Sequence, residues 1–458
     1  MPIPGEKNMN AAGQIHATAI PATRIRNPPD NLWSSLRYLG PGLILSAAIV
    51  GSGELIATTA LGAKAGFALL WMILFGCLVK VAVQLEYGRN CIIHGQPTYQ
   101  AWSREGGIHI HGVHWTVFIA LLYMISIFVG QAGVLGGAAQ VAAYAFPQVP
   151  MEQWVIIVVL VLGSLVFHGK YRPVELIATG MNFLFVAAVL YCVIAVQWTP
   201  YAYSLKDVAG GFLFHWSPEL APLALAAFGI TGVAAGEITA YPYWCLEKGY
   251  AAWTGPRDHS DEWARRARGW IRVMTLDALV SMVVYTLMTG AFYVLGAAVL
   301  RGQPALADGN EFIVQLSVLF TEILGEGARD IFMLCAFTVL FSTVFSNTAG
   351  FSRLWTDYFG LRGWIDWQDE KQRRFSISLM AWIFPAFCGL AYLTVQKPLL
   401  LVKFMGICNA LFLIVVAYQA MRFRYRQTDP RLLPSRFYDV ALWVSLFSIG
   451  YLAVRAVW

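Results

Sequence analysis

"GSGELIATTALG", residues 51–62, interrupts a stretch that otherwise reads as buried in a membrane. Gly51, Gly53 and the carboxylate of Glu54 stand where an apolar helix should run on. Opening a helix in hydrocarbon strands backbone N–H and C=O groups, which is tolerated only around a cavity or a bound polar ligand. Glycine permits the backbone angles that such a break needs. Freed carbonyls can coordinate a cation, and the amino ends of half-helices favour anions. A charged, unpaired glutamate at that depth is costly. Glu54 is therefore either a functional group in a polar chamber or a protonated acid bonded to opened backbone.

The whole chain supports a membrane setting. It has 458 residues, 58% of them hydrophobic and 13% charged, with a mean hydropathy of +0.58. A water-soluble domain would carry about 25% charged residues. Runs near the roughly 20 residues that cross a bilayer recur along the chain. Eleven spans are expected, near 40–62, 66–93, 114–143, 151–168, 171–196, 219–246, 270–298, 329–356, 375–395, 397–421 and 435–457. The fold class is thus an all-α polytopic membrane protein. Residues 1–35, with Pro2, Pro4, Pro21, Pro28 and Pro29, lack the apolar core of a signal peptide and are expected to form a flexible cytoplasmic tail. Residues 36–458 form the transmembrane domain.

Charge sets the expected orientation. The connection between spans six and seven carries Lys248, Arg257, Arg265, Arg266, Arg268 and Arg272. Between spans eight and nine stand Arg362, Lys371, Arg373 and Arg374, and between ten and eleven Arg422, Arg424, Arg426, Arg431 and Arg436. The alternate connections are poor in basic residues; Arg301 and Arg329 share the longest. Basic residues favour the cytoplasm, which places the N-terminus inside and the C-terminus outside an inner (cytoplasmic) membrane. The net charge of +6 reads as orientation signal, with no nucleic-acid partner. Trp198, Trp216, Trp364 and Trp367 fall near the expected interfaces.

A repeat then emerges. "GELIA" at 53–57 in span one is echoed by "GEITA" at 236–240 in span six, where Gly229, Gly232 and Gly236 also cluster. Five spans separate the two, so the units run through the membrane in opposite senses: repeat one 40–196, repeat two 219–421, and an extra helix at 435–457. Transporters build midplane sites where two discontinuous helices of such repeats meet. Glu54 and Glu237 are the paired candidates, with Gly51, Ser52, Gly53, Gly236 and Thr239 beside them.

At this point the sequence resembles a known family. "GPGLILSAAIVGSGELIATTALGAKAGFALLW" (40–71) is similar to the first two spans of Nramp divalent-metal transporters. The likeness continues through "KYRPVELIATGMNFLFVAAVLYCV" in span five, "AFGITGVAAGEITAYPYW" in span six and the Asp277 region of span seven. The resemblance implies the leucine-transporter fold, two inverted five-helix repeats, alternating access and proton-coupled uptake of Mn²⁺ or Fe²⁺. The site motifs depart from it. The family's Asp-Pro-Gly-Asn reads Gly51, Ser52, Gly53 and Glu54, and its Met-Pro-His reads Gly236, Glu237 and Ile238. A third-span glutamate falls at Gly133, and only Asn409 matches a polar family position near the substrate.

What remains is an all-oxygen set: Glu54 and Glu237 as metal ligands, Ser52, Thr239, Asn409 and freed carbonyls. Oxygen suits hard cations such as Mg²⁺, Ca²⁺ or Mn²⁺, and the loss of methionine argues against soft ones. The expected function is a secondary transporter of a hard divalent cation coupled to protons, with Asp277 on the proton route. The alternative keeps the scaffold and carries a small anion or organic solute, with a glutamate as the proton site. The expected partners are that ion or solute, protons and the lipid bilayer; no cofactor is expected, and a monomer is favoured. No Ser/His/Asp set, phosphate loop or zinc motif suggests an enzyme.

Other polar features read more plainly. His109, His111 and His114 in "GIHIHGVHW" (107–115) belong to a polar loop, with a metal site as the alternative. The seven cysteines form no C-x-x-C pair and read as small buried hydrophobes. "SNTAGFS" (346–352) lines a pathway or bonds between helices, and "GVLGGAAQ" (133–140) is a close-packing surface. Lys80 and Glu86, six residues apart, do not share a helix face, so Lys80 snorkels or pairs elsewhere.

Overall fold

Side chains of this protein are distributed inside out. Leu122, Ile125, Leu176, Phe183 and Phe447 are exposed, whereas Glu54, Lys80, Asp277, Arg353 and Asp357 are buried. That suits a lipid surround, where apolar groups lose nothing by facing outward and polar groups must pair within. The structure, a computed structural model, describes residues 24–258, 260–301 and 329–455. Among the described residues nine helices are long and apolar enough to cross a bilayer: Pro41–Ala65, Leu70–His94, Trp115–Ala145, Tyr171–Trp198, Pro218–Lys248, Asp261–Val299, Met333–Leu361, Glu370–Val395 and Pro398–Gln427. They answer to expected spans one to three and five to ten. The fourth is the shorter apolar helix Met151–Val166, and the eleventh is Arg436–Arg455. The 16 residues of the fourth rise about 24 Å at 1.5 Å each, short of a hydrocarbon core of about 30 Å.

Packing repeats under exchange of the two halves. Span one lies on span five as span six lies on span ten. Span five lies on span eight as span ten lies on span three, and span one meets span seven as span six meets span two. Spans an odd number apart run oppositely, so this exchange is an inverted repeat. Spans one and six are almost wholly buried at its centre, and span five is largely exposed at its edge. Glycines let the central helices approach. A Cβ at Gly53 would sit 2.7 Å from Ile230 O, and one at Gly51 would sit 2.6 Å from Val339 O.

Two segments outside the spans take definite form. The tail expected to be flexible over 1–35 lies outside the described residues through 23, but residues 24–38 dock on the bundle. Arg26 N donates to Trp253 O at 3.0 Å, Trp270 Nε1 donates to Arg26 O at 3.0 Å, and Tyr38 packs edge-on against Trp253 and Trp270. Ile25 and Pro28 lie close to Gly255 and Gly269, whereas Leu32 and Trp33 stay exposed. The histidine loop folds into a short antiparallel hairpin, His109–Ile110 with Val113–His114. His109 stacks edge-on to His114, and His114 Nδ1 bonds Thr116 Oγ1 at 2.7 Å. The connection from 302 to 328 also lies outside the described residues.

Candidate functional site

The sixth span breaks where its glycines predict. Helix Ala221–Ile230 ends, Thr231 turns extended, Gly232 takes φ +61°, and helix Ala235–Lys248 resumes. A positive φ of that size strains any residue with a Cβ, so Gly232 makes the turn possible. The first span behaves differently. Expected to open at Gly51 and Gly53, it instead widens into a π-helix over Val50–Thr58 between Pro41–Ile49 and Thr59–Ala65. Threonine hydroxyls from the next turn take up its loosened carbonyls: Thr58 Oγ1 donates to Gly53 O at 2.9 Å, and Thr59 Oγ1 to Glu54 O at 3.2 Å. Widening keeps the backbone paired inside hydrocarbon, which a full break would not.

Glu54 reaches from the widened first span into the break of the sixth. Its Oε1 accepts from Gly232 N at 3.2 Å and from Thr289 Oγ1 of span seven at 2.7 Å. Its Oε2 is buried without a partner. Glu237 sits in the first turn of the resumed helix, where the helix dipole favours an anion. Unlike Glu54, Glu237 is only partly buried. Glu54 thus bonds within the break, and Glu237 follows it in the resumed helix.

Lys80, fully buried on span two, borders the same break. Its ammonium donates to Phe228 O and, at 2.7 Å, to Thr231 O. It lies 4.4 Å from the Phe228 ring centroid and within electrostatic reach of both Glu54 and Glu237. The lysine thus pairs across the bundle and does not snorkel; Glu86 pairs with Arg89 instead.

The other candidates fall around this core. Gly51 N donates to Thr343 Oγ1 at 2.9 Å, tying the first span to the eighth. The side chain of Ser52 is outside the described residues. Thr239 Oγ1 bonds back to Gly236 O at 2.8 Å, so its hydroxyl serves its own helix. Asn409 Oδ1 accepts from Tyr123 OH, and a Cβ at Gly236 would meet that hydroxyl at 2.8 Å. Tyr123, Thr289, Thr343 and Lys80 are therefore site neighbours that sequence reasoning missed. A lysine in mid-span was a signal, because it cannot stay unpaired there. Hydroxyls carry no such signal, since most bond back to their own helix.

Asp277 lies elsewhere, at the first span's amino end. Its carboxylate accepts from Gly40 N at 2.8 Å, Gly42 N at 2.6 Å and Tyr241 OH at 3.2 Å. Nearby, Lys248 Nζ donates to Leu39 O at 2.7 Å and to Glu175 at 2.6 Å. Together they latch that end of span one to spans five, six and seven. In the "SNTAGFS" stretch, Asn347 Nδ2 donates to Ala48 O at 3.4 Å, while the hydroxyls of Ser346 and Thr348 are buried without partners. Gly133 and Gly136 pack against Leu401 and Tyr392. Among the described residues no three His, Cys, Asp or Glu side chains are grouped so that they could together hold a metal ion.

The sequence profile of the natural resistance-associated macrophage protein-like family, Nramp, matches residues 42–458. An uncharacterised protein of Pasteurella multocida is 26% identical over 92% of this chain and 90% of its own. A divalent metal cation transporter, MntH, of Ralstonia nicotianae is 28% identical over 80% and 78%. A manganese transporter of Eremococcus coleocola superposes with a TM-score of 0.68 at 14% identity, covering 94% of this chain and 88% of its own. MhsT in complex with L-phenylalanine gives 0.58 at 12%, covering 94% and 100%. The fold is accordingly of the leucine-transporter type.

Proposed function

The chain belongs to the Nramp family, a family of membrane transporters and not of enzymes, and on that premise we propose that it carries a hard divalent cation of the Mg²⁺ or Mn²⁺ class together with protons. One observation carries the reading. The Glu54 carboxylate crosses from one repeat to the broken helix of the other and keeps one buried oxygen free of any partner. A buried acceptor of that kind calls for a donor or a cation. Glu237 supplies a second, less buried acid, and carboxylate oxygens are the ligands that hard ions prefer. The names of relatives in Ralstonia and Eremococcus point the same way.

Transport would proceed by alternating access, with the two repeats rocking about the site. The latch of Asp277, Lys248 and Glu175 would close one path to it, and Asp277 would pass protons as it opens. Basic connections would face the cytoplasm, with the N-terminus inside and the C-terminus outside an inner membrane. The test is Mn²⁺ uptake into proteoliposomes. Glu54→Gln and Glu237→Gln should each reduce it strongly while leaving the protein folded. Wild-type uptake by both variants would remove these acids from the site.

Lys80 favours a second reading. An ammonium in the chamber can attract a small anion, such as bicarbonate, in place of a metal. Anion flux without any Mn²⁺ flux in the same liposomes would select it.

A further inference from the structure

Backbone accounting at the sixth span exposes what Lys80 does. In an unbroken helix Gly232 N would donate to Phe228 O, four residues back. Here Gly232 N donates to Glu54 Oε1, and Phe228 O accepts from Lys80. Thr231 O, which a continuing helix would also have paired, accepts from Lys80 at 2.7 Å. An acid and a base from two other helices have divided one helical hydrogen bond between them. The break is held open by that division.

The carbonyls that Lys80 holds are at the carboxyl end of a half-helix, where the dipole attracts cations. Thr231 O directly precedes Gly232, whose amide Glu54 holds, so a cation bound at Glu54 would compete for these carbonyls. We propose that the Lys80 ammonium is a resident cation of the transport site, which an incoming metal ion must displace from Phe228 O and Thr231 O. The proposal rests on the metal reading above and adds to it a competitor built into the chain. With both acids ionised, the lysine leaves one negative charge instead of two, so the site holds a divalent ion less tightly than its acids alone would. The side chain is long enough to swing away without moving its helix, and its ammonium already lies over the Phe228 ring.

The test compares wild type with Lys80→Met, which keeps the apolar stem, and Lys80→Arg, which keeps the charge. Mn²⁺ uptake into proteoliposomes and Mn²⁺ binding by calorimetry are both read. Lys80→Met should lower the half-saturating Mn²⁺ concentration at least tenfold, and Lys80→Arg should not lower it. If Lys80→Met fails to fold, Lys80→Gln carries the same expectation. Wild-type uptake with unchanged half-saturation in the neutral variant would overturn the lysine proposal and leave the metal reading standing. Mn²⁺ binding that appears only when the lysine is neutralised would refute metal carriage by the wild type, and displacement of the lysine with it. No binding by any of them would overturn both.

Discussion

Replacing Asp277 by asparagine should open the latch at the amino end of span one. The carboxylate accepts two backbone N–H groups, from Gly40 and Gly42, and the Tyr241 hydroxyl. Asparagine keeps the shape but offers one acceptor oxygen and one donor nitrogen. One of the two amides must then face another donor. Leaving a buried N–H unsatisfied costs about 1–3 kcal/mol, and turning the surviving charge-assisted bond into a neutral one costs about 1 kcal/mol more. The loss is about 3 kcal/mol, reduced somewhat because a charge is no longer buried. At 1.4 kcal/mol per decade, the unlatched population should rise roughly 100-fold. Hydrogen exchange followed by mass spectrometry, with the protein in nanodiscs, reads this directly. Amides of residues 40–49 should exchange about 100-fold faster in Asp277→Asn, while those of spans three and ten keep their protection. Unchanged exchange over 40–49 would refute the reasoning, because it would mean that the carboxylate bonds hold nothing closed.

Other outcomes stem from close approaches and from charge outside the membrane. Gly53→Ala would place a methyl group 2.7 Å from Ile230 O, a backbone atom that cannot easily yield; overpacking of this kind costs about 1–3 kcal/mol. Uptake should fall and the melting temperature should drop, and a fully active, equally stable variant would deny the contact between spans one and six. In the connection after span ten, Arg431 and Arg257 donate to Asp429 and hold its carboxyl well below the usual carboxylate range. A depressed carboxyl contributes stability that is present above its unfolded value of about 3.9 and is lost as pH falls below it. Limited proteolysis should therefore cut residues 423–435 faster at strongly acidic pH, and Asp429→Asn should be cut readily at neutral pH as well.

Much of this arrangement is legible in residues. Apolar run lengths mark the spans, and the matched "GELIA" and "GEITA" stretches at 53–57 and 236–240 mark the two halves. Gly232 makes the break in span six readable, because a positive φ there needs glycine. The widening of span one is not readable in the same way. Gly51 and Gly53 permit a break equally well, and they serve close packing against spans eight and six. What decides between the two is the pair of threonines, Thr58 and Thr59, that return hydroxyls to the loosened carbonyls. Lys80 is visible in sequence as a misfit, but its partners are carbonyls 148 and 151 residues away. Carbonyls carry no sequence label, so only the fold could supply them. For the same reason Asp277, which invites a search for a basic partner, turns out to hold backbone amides.

The most direct measurement is an experimental structure of the protein grown with Mn²⁺, with data collected at the manganese absorption edge. The account predicts one anomalous peak flanked by the Glu54 and Glu237 carboxylates, with the Lys80 ammonium withdrawn from Phe228 O and Thr231 O. A peak away from both acids in protein that demonstrably carries Mn²⁺ would contradict it.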